Sequence, residues 1–263
     1  MDKDINFFNI LLETIDKIDK PVRKRKYNNE YYLKHILDMI DCFVNWKNLK
    51  KIFIDKKKNH YKTIYNKFLK WSKNKIFEKI FNEYMNSFYK NDNEIRNKNI
   101  YIDSTFISNS KGSEFVNTNP MYRKKKVTKI SSLCDDNNVI LGLVPFDSHI
   151  HDVKTIDKTI NILPKCIKNK INLIGDKGYI TSTLFTFNNK KIKLITPYRK
   201  NMKKKLTTQE KNKLKKRNKI EHVFQKIKKY NRTQLRKEKK INNFMSFLYI
   251  IVLFENIKIL NKM

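Results

Sequence analysis

With 263 residues, 40% of them hydrophobic and 12% aromatic, the chain has apolar surface for one good core and a smaller helical unit, which excludes a disordered or fibrous polypeptide. Its 59 basic residues stand against 25 acidic ones, a formal net charge of +34 that is costly in self-repulsion unless a polyanion relieves it, and nucleic acid is the leading partner. A genome rich in Lys, Asn and Ile would spread the excess evenly, yet residues 1–95 carry 21 basic and 13 acidic side chains whereas residues 96–263 carry 38 and 12.

The start, Met1 to Glu13, mixes Asp2, Asp4 and Glu13 among apolar residues and reads as neither a signal nor a transit peptide. From Ile5 to Ile18, Ile5, Phe8, Leu12, Ile15 and Ile18 recur at helical spacing, closed by Lys20-Pro21. After a basic connector, Arg23 to Lys26, residues 30–54 repeat the pattern through Tyr32, Leu33, Ile36, Leu37, Ile40, Phe43 and Val44, then Trp46, Leu49, Ile52 and Phe53. The segment from His60 to Phe88 does so again, with Ile64, Phe68, Trp71, Ile76, Ile80, Tyr84 and Phe88. These stripes suit a helical core. The polar face of His60 to Phe68 also suits a recognition helix of a helix-turn-helix, and both readings stay open.

Asn91 to Asn99 is polar and unpatterned, a boundary between an all-helical domain over residues 1–95 and a second domain over 96–263. The period then changes. Ile100 to Ile107 alternates, and Val127 to Cys134 and Val139 to Phe146 form two strands joined by the turn Asp135-Asp136-Asn137-Asn138. A helix over about Val153 to Leu163, a strand ending at Gly175-Asp176-Lys177-Gly178, a helix near Thr181 to Phe187 and a strand Ile192 to Thr196 follow. The fold class is thus α+β or α/β: helices first, then a mixed sheet flanked by helices.

Arg199 to Lys240 holds 19 Lys or Arg against three acids, Glu210, Glu221 and Glu238. A helix from about Thr208 to Tyr230 puts Leu214, Arg217, Glu221 and Lys228 on one face, with Ile220, Val223, Phe224 and Ile227 toward the core. An i, i+4 Arg217/Glu221 pair is the plain reading of that face. The apolar run Phe244 to Phe254 is about half a membrane span and reads as a buried helix. Cys42, Cys134 and Cys166 lie far apart, suggesting neither a disulfide framework nor a zinc site and fitting a reducing, intracellular compartment.

Three acids stand out: Asp103 in the first strand, Asp176 at the tip of the fourth, and Glu221 on the late helix. If those strands are neighbours, the Asp side chains converge and a helix across that edge adds the Glu. Clustered carboxylates repel one another unless cations bind between them, and oxygen ligands of this kind suit Mg²⁺ or Mn²⁺. A pair of such ions activates a water or a 3′-hydroxyl and stabilises the leaving oxygen of a phosphodiester.

Several segments resemble the DDE transposases of bacterial insertion sequences, closest to the insertion-sequence-five group. They are Ile102-Asp103-Ser104-Thr105, Asn119 to Lys126 leading into Lys129-Ile130-Ser131, His151-Asp152, Gly175 to Tyr179, Pro197 to Asn201, and Arg217 to Phe224. The acids are 73 and 45 residues apart, which leaves no room for the large insertion some relatives carry before the Glu. The resemblance covers roughly residues 30 to 260 and implies a ribonuclease-H-like catalytic domain with Asp103, Asp176 and Glu221 as catalytic metal ligands for two Mg²⁺ or Mn²⁺ ions. It implies double-stranded DNA as partner, a homo-oligomer on that DNA, and no membrane. The Tyr-x2-Arg-x3-Glu-x6-Lys signature is met at Arg217, Glu221 and Lys228, with Leu214 at the Tyr position; Arg123 to Lys126 stand where relatives often have glycines. Candidate DNA contacts are Arg123, Lys124, Lys125, Lys126, Lys177, Arg199, Lys203, Lys204, Lys205, Arg217 and Lys228. His149 and His151 suit a loop better than a metal pair, and His151-Asp152 resembles a positioning motif. A non-catalytic DNA-binding descendant would be expected to lose one of the acids, and a basic RNA-binding protein has no reason to carry all three.

Overall fold

The structure, a computed structural model, describes residues 5–20, 27–41, 45–51, 61–90, 97–119, 125–167, 170–187, 189–199, 202 and 205–263. Helix α1 (Ile5–Ile18) turns Phe7, Leu11 and Ile15 inward, while Ile5 and Ile18 of the expected stripe lie exposed. The buried line is rotated because Phe7 meets the ring of Phe254 edge-on at 4.9 Å, and a four-residue repeat keeps Leu11 and Ile15 beneath it. Helix α2 (Asn29–Asp41) buries Leu33, Ile36, Leu37 and Ile40 as the periodicity requires. Cys42, Phe43, Val44, Ile52, Phe53 and His60 lie outside the described residues.

After a 3-10 turn at Trp46–Lys51 come α3 (Tyr61–Lys73) and α4 (Ile76–Lys90). The single apolar pattern over 60–88 is two helices because Lys75 takes a left-handed backbone conformation, φ 52°, which ends α3 and restarts the chain. The buried carboxylate of Asp19 ties α1 to α3: it accepts the Trp71 indole N–H at 2.8 Å and pairs with Lys67.

The sheet uses β1 (Asn97–Asn109), β2 (Asn117–Asn119), β3 (Lys125–Cys134), β4 (Ile140–Asp147), β5 (Lys170–Ile174), β8 (Lys193–Ile195) and β9 (Leu235–Arg236); β6 (Thr186–Phe187) and β7 (Lys190–Lys191) form a separate small hairpin. Its main order is β4-β3-β1-β5-β8, with β3 antiparallel to both neighbours and β1, β5 and β8 mutually parallel. This is a ribonuclease-H-like sheet. The β3–β4 turn is made by its own chemistry, since the Asp135 carboxylate accepts the N–H groups of Asn137 (2.8 Å) and Val139 (3.0 Å) and Asn138 supplies the positive φ of 62°.

Three helical expectations need correction. No helix forms at 181–187: after a 3-10 turn at Lys177–Tyr179, the Thr181 hydroxyl accepts the Thr183 N–H at 3.1 Å, and a side chain that bonds its own backbone competes with helix. The segment expected to be one helix from 208 to 230 is α6 (Thr208–Lys215) and α7 (Asn218–Ile227). The break is a tightened turn in which Arg217 N–H bonds Leu214 O and Ile220 N–H bonds Arg217 O. The helix expected over 153–163 is a 3-10 turn at Asp152–Thr155 followed by the short α5 (Ile156–Ile160).

After α8 (Asn231–Gln234), the last helix, α9 (Ile241–Leu260), is apolar on nearly every side, long and apolar enough to cross a membrane by length and composition, and most of it is buried within the fold. It joins the two halves of the chain. Phe247 stacks on Phe68 of α3 at 4.7 Å, Tyr249 meets Phe81 of α4 at 5.4 Å, and the fully buried Asn256 amide bonds the N–H and C=O of Ile140 at 2.9 and 2.8 Å.

Candidate active site

Strand β1 pairs with β5 only as far as Tyr101 opposite Ile174. Continued two residues further, that register would set Asp103 opposite Asp176, and α7 packs against β1. Asp103, midway along β1, and Asp176, just past the end of β5, are thus near enough for the charge of one to act on the other, at the carboxyl edge of β5, where open α/β sheets place their chemistry.

Asp103 is mostly buried and accepts the Ser104 N–H at 2.8 Å. Burial pushes its carboxyl up to about 6; the Ser104 hydrogen bond and nearby Arg217 pull against this, while the charges of Asp176 and Asp152 add to it. An acid raised in the folded state stabilises the fold fully below its unfolded value near 4, and this stabilisation is lost as pH rises through about 6. Asp103→Asn in EDTA is thus expected to exceed the native protein in stability above pH 6, by up to about 3 kcal/mol, with the gap closing toward pH 4. Urea titrations at several pH values check this; a gap that widens on acidification would contradict it.

Asp176 caps the 3-10 turn that follows β5, accepting the Gly178 N–H at 2.7 Å. A Cβ on Gly178 would lie 3.0 Å from Asp176 Oδ1 and 3.1 Å from Asp152 Oδ2, so glycine lets two carboxylates approach one peptide. Buried Tyr179 closes the turn from beneath, its hydroxyl 3.0 Å from Ser104 Oγ.

Glu221, on α7, is half exposed and pairs with Arg217 Nη2 at 3.0 Å, the i, i+4 pairing that the sequence spacing implies. The same guanidinium reaches Asp103 Oδ2 from Nη1 at 3.4 Å. Arg217 thus bridges the first and third acids. The expected convergence of three carboxylates on one ion is not the arrangement seen: among the described residues no three acidic, His or Cys side chains are gathered to hold a metal, and the cation between Asp103 and Glu221 is Arg217. The donor set fits a hard divalent ion nonetheless, because all its atoms are carboxylate oxygens.

One ion pair beside the acids joins two of the segments that carry the resemblance, Lys129-Ile130-Ser131 and His151-Asp152, a pairing that sequence spacing does not show. Lys129, almost wholly buried in β3, sets its ammonium 2.6 Å from Asp152 Oδ1 and donates to Ile150 O at 2.7 Å. Lys129 lies in the part of β3 that is buried throughout, and it holds Asp152 beside the Asp176 turn. His149 meets Asn117 at 3.1 Å, and both His149 and His151 are exposed loop residues.

Of the candidate DNA contacts, Lys125, Lys126, Lys177, Arg199 and Lys205 are exposed, whereas Lys228 is half-buried and its ammonium is lowered by that burial. Arg217 is committed to the acids as described. Arg123, Lys124, Lys203 and Lys204 lie outside the described residues.

Residues 98–254, more than half of the chain, match a family model described as the transposase DDE domain. The chain belongs to that family. No curated protein and no solved structure matches it. Membership of a transposase family implies DNA as the substrate.

Proposed function

We propose that this DDE transposase is an active enzyme, close to the insertion-sequence-five group, that cuts and joins DNA strands at the ends of a mobile element. The observation that carries the reading is the nearness of Asp103, midway along β1, to Asp176, just past the end of the parallel strand β5, with Glu221 linked to Asp103 through one guanidinium. Asp103, Asp176 and Glu221 would hold Mg²⁺ or Mn²⁺, which when bound activates the attacking oxygen and stabilises the leaving one. The rest of the work falls to the chain. Arg217 holds Asp103 and Glu221 together before DNA arrives, and Lys129 with Asp152 steadies the Asp176 turn. In cleavage a water oxygen attacks phosphorus, the bond to the 3′-oxygen breaks, and that oxygen leaves as a 3′-hydroxyl; in joining, this hydroxyl attacks a phosphodiester of the target and displaces the target's own 3′-oxygen, which takes up the proton. Exposed lysines bind the double-stranded backbone, and two element ends call for a homo-oligomer. The test is a supercoiled plasmid carrying the element's ends, nicked in Mg²⁺ or Mn²⁺ and intact in EDTA; a plasmid bound yet never cut in either metal favours a non-catalytic descendant.

Lys125 and Lys126, exposed where β3 begins, are assigned to phosphates and not to bases. Replacing both by Ala is expected to weaken binding to all duplexes alike and to flatten the fall of log K with log salt by about 0.9 for each phosphate that is no longer neutralised. Anisotropy across a salt series measures it, and weakening confined to one sequence contradicts it.

A further inference from the structure

A groove of about 750 Å³ lies between the helical front of the chain and the loop that follows β9, within the roughly 300–1,000 Å³ range of small-ligand sites. Trp46 and Tyr65 line one side, their ring centroids 5.1 Å apart, and Trp46 is backed by Phe68 at 5.0 Å and Phe247 at 6.2 Å while remaining partly exposed. Exposed Lys47, Lys62, Lys111 and Lys239 surround the opening. The acid in the lining, Glu238, is buried and paired with Arg232 at 3.0 Å, so it does not neutralise them. Positive charge is crowded here: the Lys237 ammonium is lowered by burial and by Arg232 and Lys111 nearby, with Glu238 opposing.

We propose that this groove is a binding site for an unpaired nucleotide of a DNA strand, with the base stacked on Trp46 and Tyr65 and the phosphates on the surrounding lysines. Stacking faces beside a basic rim are how sequence-tolerant single-strand sites are built. A duplex hides its base faces and would use only the lysines, leaving the aromatic wall without a partner. The position also fits. Lys111 follows β1 directly and β9 pairs with Ser108 and Asn109, so the groove lies beyond Asp103 on the same strand, roughly 20 Å along at ~3.3 Å per residue. One DNA molecule reaches both. The polar face of α3 that suits a recognition helix, with Lys62 and Asn66, opens onto this groove.

The chain has two tryptophans, and the other, Trp71, is buried and bound to Asp19, so fluorescence reports the groove. A short single-stranded thymidine oligonucleotide, titrated in EDTA so that binding is read apart from any cleavage, is expected to quench Trp46 saturably. A blunt duplex should not. Trp46→Phe, shown folded by circular dichroism, should abolish the quench. The surface variant Lys62→Glu/Lys239→Glu, which leaves the aromatic wall untouched, should weaken single-strand binding about tenfold or more and duplex binding much less. Equal quenching by the duplex, single-strand binding without quenching, or equal weakening for both DNAs in the lysine variant would each overturn the assignment.

Discussion

Asp176→Asn is expected to abolish strand cleavage while leaving DNA binding intact. The substitution keeps the side-chain volume, and its amide oxygen can still accept the Gly178 N–H, so the 3-10 turn after β5 should survive. What goes is the charge that would hold a divalent ion beside Asp103. Changing residues that merely support metal ligands costs about 10- to 100-fold, so removal of a ligand should exceed about a hundredfold. Binding should hold or improve, because one negative charge leaves a basic surface. Plasmid nicking and anisotropy on the same preparation separate the two effects. Cleavage that persists in the variant refutes the role of Asp176, and binding that fails with cleavage points instead to a collapsed turn.

Arg232→Met is expected to destabilise the whole chain by about 3–5 kcal/mol, the cost of leaving a buried charge without its partner. Arg232 is 2% exposed and Glu238 6%. Its guanidinium donates to Glu238 at 3.0 Å and to Met39 O, in α2, at 2.9 Å, and lies over the Phe247 ring at 5.5 Å. It therefore ties the helical front to the segment that carries β9. The double variant Arg232→Met/Glu238→Leu should recover most of the stability, since replacing both members of a buried pair by apolar groups is often near neutral. Urea unfolding measures both; a double variant as unstable as the single one would show that the hydrogen bond to Met39, not the charge pair, carries the stability.

The sheet is legible in the sequence because its strands alternate and its turn residues do their own chemistry at Asp135 and Asn138. Asp103 and Asp176 are legible because each ends or interrupts an apolar run, and the parallel register then sets them together. Helix ends are less so. Lys75 and the Lys216-Arg217 turn break helices with residues of good helix propensity, so no sequence signal marks either break. The stripe on α1 is ambiguous because Ile5 and Ile18 fit a helical face equally well, and tertiary packing decides which face is buried, including the ring of Phe254, 247 residues beyond Phe7. Arg217 reads as an ordinary surface partner of Glu221; its second bond, to Asp103, joins residues 114 apart and is invisible to local spacing.

The central claim is that Asp103, Asp176 and Glu221 act together on DNA strands. It is tested most directly by strand joining: a duplex with a pre-cut element end and a free 3′-hydroxyl, incubated with target plasmid in Mg²⁺ or Mn²⁺. The native chain should join the 3′ end covalently to the plasmid, and Glu221→Gln, which keeps a hydrogen-bonding partner for Arg217 but removes the charge, should bind the DNA and join none of it. Joining that survives in Glu221→Gln, or a native chain that holds both DNAs and joins neither in either metal, would contradict the account.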